Sequence, residues 1–323
     1  MKISIAMATY NGARFIRAQL ESFLAQTWQP NELIITDDCS TDETEVIVRE
    51  FAITAPFNVK FYRNEKNLGF TGNFNSALMK TTGDLVFLSD QDDVWFPDKV
   101  RYMLHVAELN PEALVIMNDA ALTDSYLNEV GLTKLGQIRS AGLSMDSFVM
   151  GCCVGVRREL LELCMPIPVD FQGHDNWLVW FADGLNAKVF VPEVLQYYRR
   201  HESNESQFIA NRIKRVTRMH TLLHSIKSVF RKDSVNRTRA QLEQLRIYAD
   251  GIRIVQGKAP DKYHRQLFEL EDRFRKKLET NKKRMVVRDK KLLPRLFAIC
   301  SLLKNGGYRH TSGLKAFLRD IVG

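Results

Sequence analysis

The sequence GDLVFLSDQDD at residues 83–93 carries the strongest structural signal of this chain. Its apolar part, LVFL, predicts a buried β-strand, and the polar part predicts the turn that ends the strand. Asp90, Asp92 and Asp93 crowd three carboxylates into this turn, which destabilises it unless a cation or hydrogen-bond donors neutralise the charge. Hard divalent cations prefer carboxylate oxygens, and Mg²⁺ usually combines one or two of them with phosphate oxygens. The turn therefore predicts a metal-diphosphate site, with a solvated acidic loop as the alternative.

Strand and helix patterns alternate along the first part of the chain. Short apolar runs that predict strands cover residues 2–9, 32–36, 59–63 and 83–89, and a helical pattern follows each of the first three. The second helix is expected to begin at Ser40 or Thr41. Such alternation with short connections predicts a parallel α/β sheet with right-handed crossovers. Ligands bind these sheets at the carboxyl ends of strands, where Asn11, Asp38 and Asp92 all fall.

Four motifs follow one another along this part of the chain: TYNG at residues 9–12, DDCSTD at 37–42, NLG at 67–69 and DQDDVWFPDK at 90–99. In this order they resemble the motifs of family 2 glycosyltransferases with the GT-A fold. The form LSDQDDVW looks most like the bacterial rhamnosyltransferase-like branch, and the resemblance covers residues 1–204. It implies a Rossmann-like, mixed and mainly parallel sheet flanked by helices. It also implies a nucleotide-sugar donor, Mg²⁺ or Mn²⁺, and inversion at the anomeric carbon.

The resemblance also implies roles for individual residues. Asp92 is expected to ligate the metal, together with Asp90 and Asp93. Tyr10 is expected to stack on a pyrimidine base, and Asp38 is expected to accept the N3–H of that base. The full set of expected nucleotide-binding residues is Ala8, Tyr10, Asn11, Asp38, Asn67 and Asp90.

The second half of the expected site begins with SFVMGCCVGV at residues 147–156, which predicts a buried strand whose glycines allow close approach of a ligand. HDNW at residues 174–177 then opens a predicted helix, and Asp175 is well placed to cap it. The resemblance instead implies that Asp175 is the general base, because inverting transfer needs a carboxylate within reach of the acceptor hydroxyl. The residues expected to position acceptor or donor are His174, Asn176, Trp177 and Trp95.

A basic segment, QYYRRHESN at residues 196–204, follows a strand-like run at 187–191 and an expected turn at Pro192. Arg offers planar donors that suit phosphate, and His can donate a hydrogen bond or coordinate a metal. By resemblance, Arg199 and His201 are expected to bind the leaving diphosphate. A basic surface loop is the alternative.

The two parts of the chain carry opposite charge. Residues 205–323 hold 29 Lys and Arg against 11 Asp and Glu, a net charge of +18, which leaves −10 for residues 1–204 and +8 overall. The basic part is helical in pattern from Arg212 onward, and its apolar stretches at 292–303 and 314–322 are flanked by cations. This pattern is typical of helices that lie in an anionic membrane interface. A packed helical appendage or a homo-oligomer interface is the alternative, and nucleic acid is not expected because no aromatic-basic motif occurs.

Cysteine usage and hydrophobicity predict the compartment. The five cysteines are odd in number and lack CxxC spacing, which argues against a disulfide framework or a zinc site. We expect no signal peptide and no membrane-spanning helix, because no apolar run approaches about 20 residues. These features predict a cytoplasmic protein that is peripheral on the cytoplasmic face of the inner membrane.

The sequence as a whole predicts a metal-dependent, inverting glycosyltransferase that acts on a bacterial surface glycan, with a lipid-linked acceptor. The preferred donor is dTDP-rhamnose. One alternative is the same chemistry with a UDP-hexose or UDP-N-acetylhexosamine donor. The other is a non-catalytic GT-A module that binds a glycan or a membrane partner.

Overall fold

The computed structural model describes residues 1–202, 204, 206, 208–229, 234–288, 290, 292–311 and 313–322. The chain divides into two compact units, Met1–Thr217 and Arg218–Gly323. The domain boundary predicted after Asn204 falls inside the first unit, and the division of function between the units stays a prediction.

The first unit is built on a mixed β-sheet. Its strands are β1 (Ile3–Thr9), β2 (Glu32–Asp37), β3 (Asn58–Arg63), β4 (Leu85–Ser89), β5 (Val94–Trp95), β6 (Val115–Thr123), β7 (Glu129–Thr133), β8 (Val154–Arg157) and β9 (Lys188–Arg199). They are ordered β3-β2-β1-β4-β8-β6-β9-β5, with β7 paired to β6. Strands β1 to β4 run parallel, whereas β8 is antiparallel to both β4 and β6. The predicted mixed, mainly parallel sheet is confirmed.

Helices cover this sheet and bury its central strands. They are α1 (Ile16–Leu24), α2 (Thr44–Thr54), α3 (Gly69–Lys80), α4 (Lys99–Leu109), α5 (Lys134–Ser140), α6 (Arg158–Cys164) and α7 (His174–Gly184). Strands β2 and β4 are buried along their whole length, as expected for parallel strands covered on both faces. Ile5 and Phe87 pack with Phe23 of α1 and Val100 of α4 in the main core. This core holds the carboxyl ends of β1, β2 and β4 beside one another.

Strand β9 differs from its prediction. The turn expected at Pro192 is absent, because β9 continues through this proline to Arg199 in the described chain. The pairing of β9 with β6 shifts register on both sides of Asp119, and proline is tolerated at such irregularities. The unbroken strand delivers Arg199 to the edge of the sheet where the acidic turn lies.

The predicted strand at residues 147–156 is also mostly wrong. The chain forms 3-10 turns at Met145–Ser147 and Gly151–Cys153, and only Val154 onward is a strand. At Gly151 a Cβ atom would lie 2.7 Å from His174 Nε2, so the close approach to α7 requires glycine. The segment therefore turns against the start of α7 instead of extending alongside the sheet.

Helix α2 begins at Thr44, later than the start predicted at Ser40 or Thr41. The carboxylate of Asp42 accepts hydrogen bonds from Thr44, while the hydroxyl of Ser40 bonds to Asp37. The polar residues that suggested a helix start are thus used to build the loop before it.

The second unit is helical. Its helices are α8 (Arg218–Val229), α9 (Ser234–Gln256), α10 (Asp261–Arg288), α11 (Leu292–Lys304) and α12 (Leu314–Val322). Helix α8 begins at Arg218, so the helical pattern expected from Arg212 starts late. Buried Asp320 of α12 accepts hydrogen bonds from Arg284 and Arg288 of α10, at 2.7 and 2.9 Å, and from Tyr308.

The last two helices differ in exposure. That both helices face lipid stays a prediction. In α12, Ala316 is buried and Phe317 and Ile321 pack against a small core with Val287 and Tyr308, whereas the side chains of Leu314 and Leu318 lie outside the described residues. Helix α11 buries Ile299 in that core but leaves Phe297 78% exposed. Among the described residues, no helix combines the length and hydrophobicity needed to cross a bilayer.

Candidate active site

The loop after β2 is held together by two buried aspartates. Asp38 accepts hydrogen bonds from the backbone N–H groups of Leu68 and Gly69, both at 2.8 Å, and from the Asn64 amide at 3.0 Å. Gly69 has φ +70°, a conformation that glycine adopts without strain. Asp38 therefore ties the end of β2 to the start of α3.

Asp37 is equally well satisfied. Its Oδ1 accepts from the hydroxyls of Thr9 and Ser40, at 2.9 and 2.5 Å, and its Oδ2 accepts from the Ser40 backbone N–H at 2.8 Å. The Asn11 side chain accepts from the Thr41 backbone N–H at 2.8 Å. The ends of β1 and β2 are thus locked together by hydrogen bonds.

The expected nucleotide-binding residues gather around these strand ends. Tyr10 is 50% exposed, and its backbone exchanges two hydrogen bonds with the Gln91 side chain, at 2.9 and 3.0 Å. Asn67 donates to the Asp38 carbonyl oxygen at 3.3 Å, and Ala8 is partly buried within β1. Tyr10 therefore joins the end of β1 to the acidic turn through its backbone, and its side chain is exposed; base stacking by its ring stays a prediction.

The acidic turn after β4 is poorly neutralised by comparison. Ligand atoms of Asp90, Asp93 and Cys152 lie within 4.8 Å of one another. Burial, with repulsion from Asp93 and Asp92, raises the pKa of Asp90 well above its usual range. Burial and the nearby Asp92 raise the pKa of Asp93 to about 7. Bringing a cation to this cluster would relieve the repulsion.

The segment after β9 closes on this turn. His201 Nε2 lies 2.7 Å from Asp92 Oδ2, and the Asn204 amide donates to the same oxygen at 3.0 Å. The Arg199 backbone N–H donates to Asp93 at 3.1 Å, and its Nε donates to the Asp92 carbonyl oxygen at 2.7 Å. The two sequence motifs that carry the expected metal and diphosphate residues therefore meet in space.

This donor set fits Mg²⁺ or Mn²⁺. Carboxylate oxygens suit both ions. Asp92 and His201 offer an oxygen and a nitrogen side by side, and Asp90 and Asp93 add carboxylates whose charge is incompletely balanced. Residues of this site could therefore hold the divalent cation that the sequence predicts.

Asp175 lies at the start of α7, as expected. Its Oδ1 accepts from the backbone N–H of Asn176 at 2.8 Å and from the Asn176 amide at 3.3 Å. The negative charge of Asp175 contributes to the raised pKa of Asp90, which puts the two carboxylates in one electrostatic site. The carboxylate is partly exposed, so it combines a helix-terminal position with access to a reactant.

His174 is 6% exposed and stacks on Phe74, with ring centroids 3.8 Å apart. Burial lowers the pKa of this imidazole. Neither ring nitrogen has a hydrogen-bond partner within the described part of the chain. The ring therefore packs the start of α7 against α3 and supports the backbone of Asp175.

The two tryptophans of the predicted site are core residues. Trp95 is 2% exposed and packs edge-on against Phe23, with ring centroids 4.8 Å apart. Trp177 is 1% exposed, and its indole N–H donates to the Cys164 carbonyl oxygen at 2.9 Å. Any part that they play in positioning a substrate therefore acts through the residues they support.

Sequence reasoning missed Lys99, which is fully buried beneath the acidic turn. Its ammonium donates to the Cys152 carbonyl oxygen at 2.8 Å and to Gln196. The Gln196 amide in turn donates to Asp93 at 3.0 Å. Burial lowers the pKa of Lys99. The sequence did contain a signal for this role, because Lys99 is the last residue of the motif DQDDVWFPDK, which also contains the acidic residues.

Comparisons with known proteins identify the family of this chain. The family model described as Glycosyl transferase family 2 matches residues 4–163. An uncharacterized glycosyltransferase, alr2836, of Nostoc sp. is 30% identical over 65% of this chain and 68% of its own length. The dTDP-rhamnosyl transferase RfbG of Shigella flexneri is 28% identical over 62% of this chain and 73% of its own. The glucosyltransferase WfaP of Escherichia coli is 26% identical over 69% and 86%.

Two solved structures share the fold. TarS 1-349 of S. aureus in complex with UDP-GlcNAc superposes with a TM-score of 0.59 at 18% identity, covering 100% of this chain and 89% of that one. The mannosyltransferase PcManGT of Pyrobaculum calidifontis, in complex with GDP-Man and Mn²⁺, gives a TM-score of 0.51 at 19% identity, covering 99% and 86%. This chain therefore belongs to glycosyltransferase family 2 and has the GT-A fold.

Proposed function

We propose that the protein is a metal-dependent, inverting glycosyltransferase that moves a sugar from a nucleotide donor to a hydroxyl of a bacterial surface glycan. The observation that carries the proposal is the contact between Asp92 and His201, with Arg199 joined to the same turn. This arrangement gathers anionic and cationic side chains where a metal ion and a diphosphate would lie together. The metal would neutralise charge on the diphosphate leaving group.

The acceptor side of the proposal rests on Asp175. The hydroxyl that attacks the anomeric carbon must lose a proton, and a partly exposed carboxylate can accept it. The hydrogen bonds from Asn176 hold one oxygen of Asp175 and leave the other to face a reactant. The proposed acceptor is carried on a lipid, by analogy with WfaP, whose name gives a GlcNAc-diphosphoundecaprenol acceptor.

The preferred donor is dTDP-rhamnose, which the likeness to RfbG supports. A UDP-hexose or UDP-N-acetylhexosamine donor is the second candidate, supported by the UDP-Glc in the name of WfaP and the UDP-GlcNAc bound by TarS. Both kinds of donor carry a pyrimidine that the exposed Tyr10 ring could stack on. The proposed chemistry is the same for both.

The test is a transfer assay with dTDP-rhamnose, UDP-glucose and UDP-N-acetylglucosamine, a lipid-diphosphate sugar acceptor, and either Mn²⁺ or EDTA. We expect one donor to give a product of inverted anomeric configuration, with Mn²⁺ only. Asp175→Asn should keep donor affinity and lose transfer by on the order of 100-fold or more. Asp183→Asn, at the other end of α7, is the matched control and should transfer normally.

Two outcomes of this assay would count against the proposal. If no donor is transferred or hydrolysed with Mn²⁺, the chain is better described as a non-catalytic binding module. If Asp175→Asn loses stability but keeps its transfer rate per folded molecule, Asp175 is a helix cap.

We also propose that the basic C-terminal region, residues 205–323, holds the enzyme on the anionic cytoplasmic face of the inner membrane. Helix α11 supports this: Leu293 and Phe297 are 70% and 78% exposed on the side opposite buried Ile299. Lys290 and Lys304 flank the helix and are exposed. An apolar face bordered by cations suits burial in an anionic interface.

Flotation with phosphatidylglycerol liposomes tests this placement. We expect binding at low salt and partial release at 1 M salt, where the Debye length falls to about 3 Å. Replacing Leu293 and Phe297 by Glu should abolish binding, whereas Phe268→Glu, which changes an exposed residue of α10, should not. If wild-type protein does not bind the liposomes and sediments as an oligomer, the exposed face of α11 is instead an interface between copies of the chain.

A further inference from the structure

The ring of Phe15 lies among the cationic side chains of the site. Phe15 immediately precedes α1, and the Arg199 guanidinium carbon lies 4.7 Å from its ring centroid. The His201 ring packs on it as well, with centroids 4.6 Å apart and planes tilted by 30°. Arg14 lies 4.8 Å from the same centroid. One aromatic ring therefore contacts both residues that we assign to the diphosphate.

We propose that Phe15 is a positioning residue that holds Arg199 and His201 in the orientation that receives the metal and the diphosphate. The inference rests on the proposed function of those two residues. Phe15 is 9% exposed, and its backbone N–H donates to the Gly12 carbonyl oxygen at 3.0 Å. The ring is thus anchored to the end of β1, the strand that also presents Tyr10.

An aromatic ring suits this role better than an acidic side chain would. A carboxylate could hold Arg199 more strongly, but it would add negative charge beside a diphosphate and a metal site already crowded with aspartates. The face of a ring attracts a guanidinium through its quadrupole without adding net charge. Phe15 can therefore orient Arg199 and leave its charge available to the donor.

The variants that separate positioning from packing are Phe15→Leu, Phe15→Tyr and Phe51→Leu. Leucine keeps an apolar side chain at residue 15 and removes the ring, whereas tyrosine keeps the ring. Phe51 is a matched control, because it is 8% exposed, close to the 9% of Phe15, and its ring packs on another phenylalanine, Phe57. Loss of core packing alone should lower stability in both leucine variants alike.

Two readouts are needed: affinity for UDP and dTDP with Mn²⁺ by titration calorimetry, and the ring-proton NMR shifts of His201 in metal-free protein. We expect Phe15→Leu to weaken nucleotide binding about tenfold and to remove the ring-current shift of His201. Phe15→Tyr should restore both, and Phe51→Leu should leave both unchanged. In a His201→Ala, Arg199→Ala background, Phe15→Leu should have no further effect on affinity.

The inference is overturned if Phe15→Leu binds the Mn²⁺-nucleotide complex as wild type does, or if Phe51→Leu weakens binding equally. Wild-type protein that binds neither nucleotide with Mn²⁺ would overturn the proposed function as well. In that case an unchanged His201 spectrum in Phe15→Leu would separately refute the positioning contact.

Discussion

Strands β2 and β4, which lie on either side of β1, both end in aspartates, and the two groups have different surroundings. At the end of β2, Asp37 and Asp38 accept hydrogen bonds from backbone N–H groups and hydroxyls. At the end of β4, burial with repulsion from Asp93 and Asp92 raises the pKa of Asp90. Burial with repulsion from Asp92 raises the pKa of Asp93, although Asp93 accepts hydrogen bonds from Gln196 and Arg199. Similar sequences, DD and DQDD, therefore serve different purposes. The carboxylates after β2 stabilise a loop, and the carboxylates after β4 carry negative charge that a bound cation can balance.

The difference teaches how to tell a structural carboxylate from a ligand. A buried carboxylate with several donors stabilises the native state by itself. A buried carboxylate beside others is destabilising until something positive arrives, and such strain is characteristic of functional sites. The variants below change one of these two groups of carboxylates at a time.

The largest effect is expected from Asp92→Asn. This substitution removes the carboxylate that meets His201, so the affinity of UDP or dTDP in the presence of Mn²⁺ should fall by on the order of 100-fold, the loss expected when a charged contact of several kcal/mol is removed. Titration calorimetry with and without Mn²⁺ measures this change, and circular dichroism checks that the fold is intact.

Asp84→Asn provides the control for that experiment. Asp84 lies just before β4, at the opposite end from the acidic turn, where it accepts a hydrogen bond from the Lys2 backbone N–H. The Asp84→Asn variant should bind the Mn²⁺-nucleotide complex with the affinity of the wild type. Unchanged affinity in Asp92→Asn would remove Asp92 from the metal site.

The next effect concerns the β2 loop. Asp38→Ala leaves the N–H groups of Leu68 and Gly69 without their acceptor, so we expect a loss of about 2 kcal/mol in the free energy of unfolding. Because the loop also borders the expected base site, the affinities for UDP and for dTDP should both fall, by about tenfold. Urea denaturation and calorimetry check the two parts, and a loss of dTDP binding alone would contradict the second.

A smaller and graded effect is expected from pH. In metal-free protein the pKa of Asp93 is about 7, so below that pH a cation must displace a proton from the site. The apparent Mn²⁺ affinity should therefore fall by up to about tenfold for each pH unit below 7. Affinity that is flat between pH 5.5 and 8 would show that Asp93 takes no part in binding the ion.

The sequence predicted the parallel strands and the separate strand-end motifs because each depends on local pattern. It could not predict that His201 meets Asp92, since that contact depends on how far β9 extends, and Pro192 suggested an early end. It also missed Phe15 and Lys99. Phe15 belongs to an apolar helical pattern that predicts core packing, and only the folded chain brings Arg199 onto its ring.

The most direct test of the comparison is the free energy of unfolding of metal-free Asp90→Asn and Asp38→Asn at pH 8. A neutral residue at 90 avoids both the cost of burying a carboxylate there and the repulsion from Asp93 and Asp92, the causes that raise the pKa of Asp90. We predict that Asp90→Asn stabilises the protein by about 1 kcal/mol, whereas Asp38→Asn destabilises it by about 2 kcal/mol. If both variants are destabilised to a similar extent, the turn after β4 is an ordinary structural loop and the central claim fails.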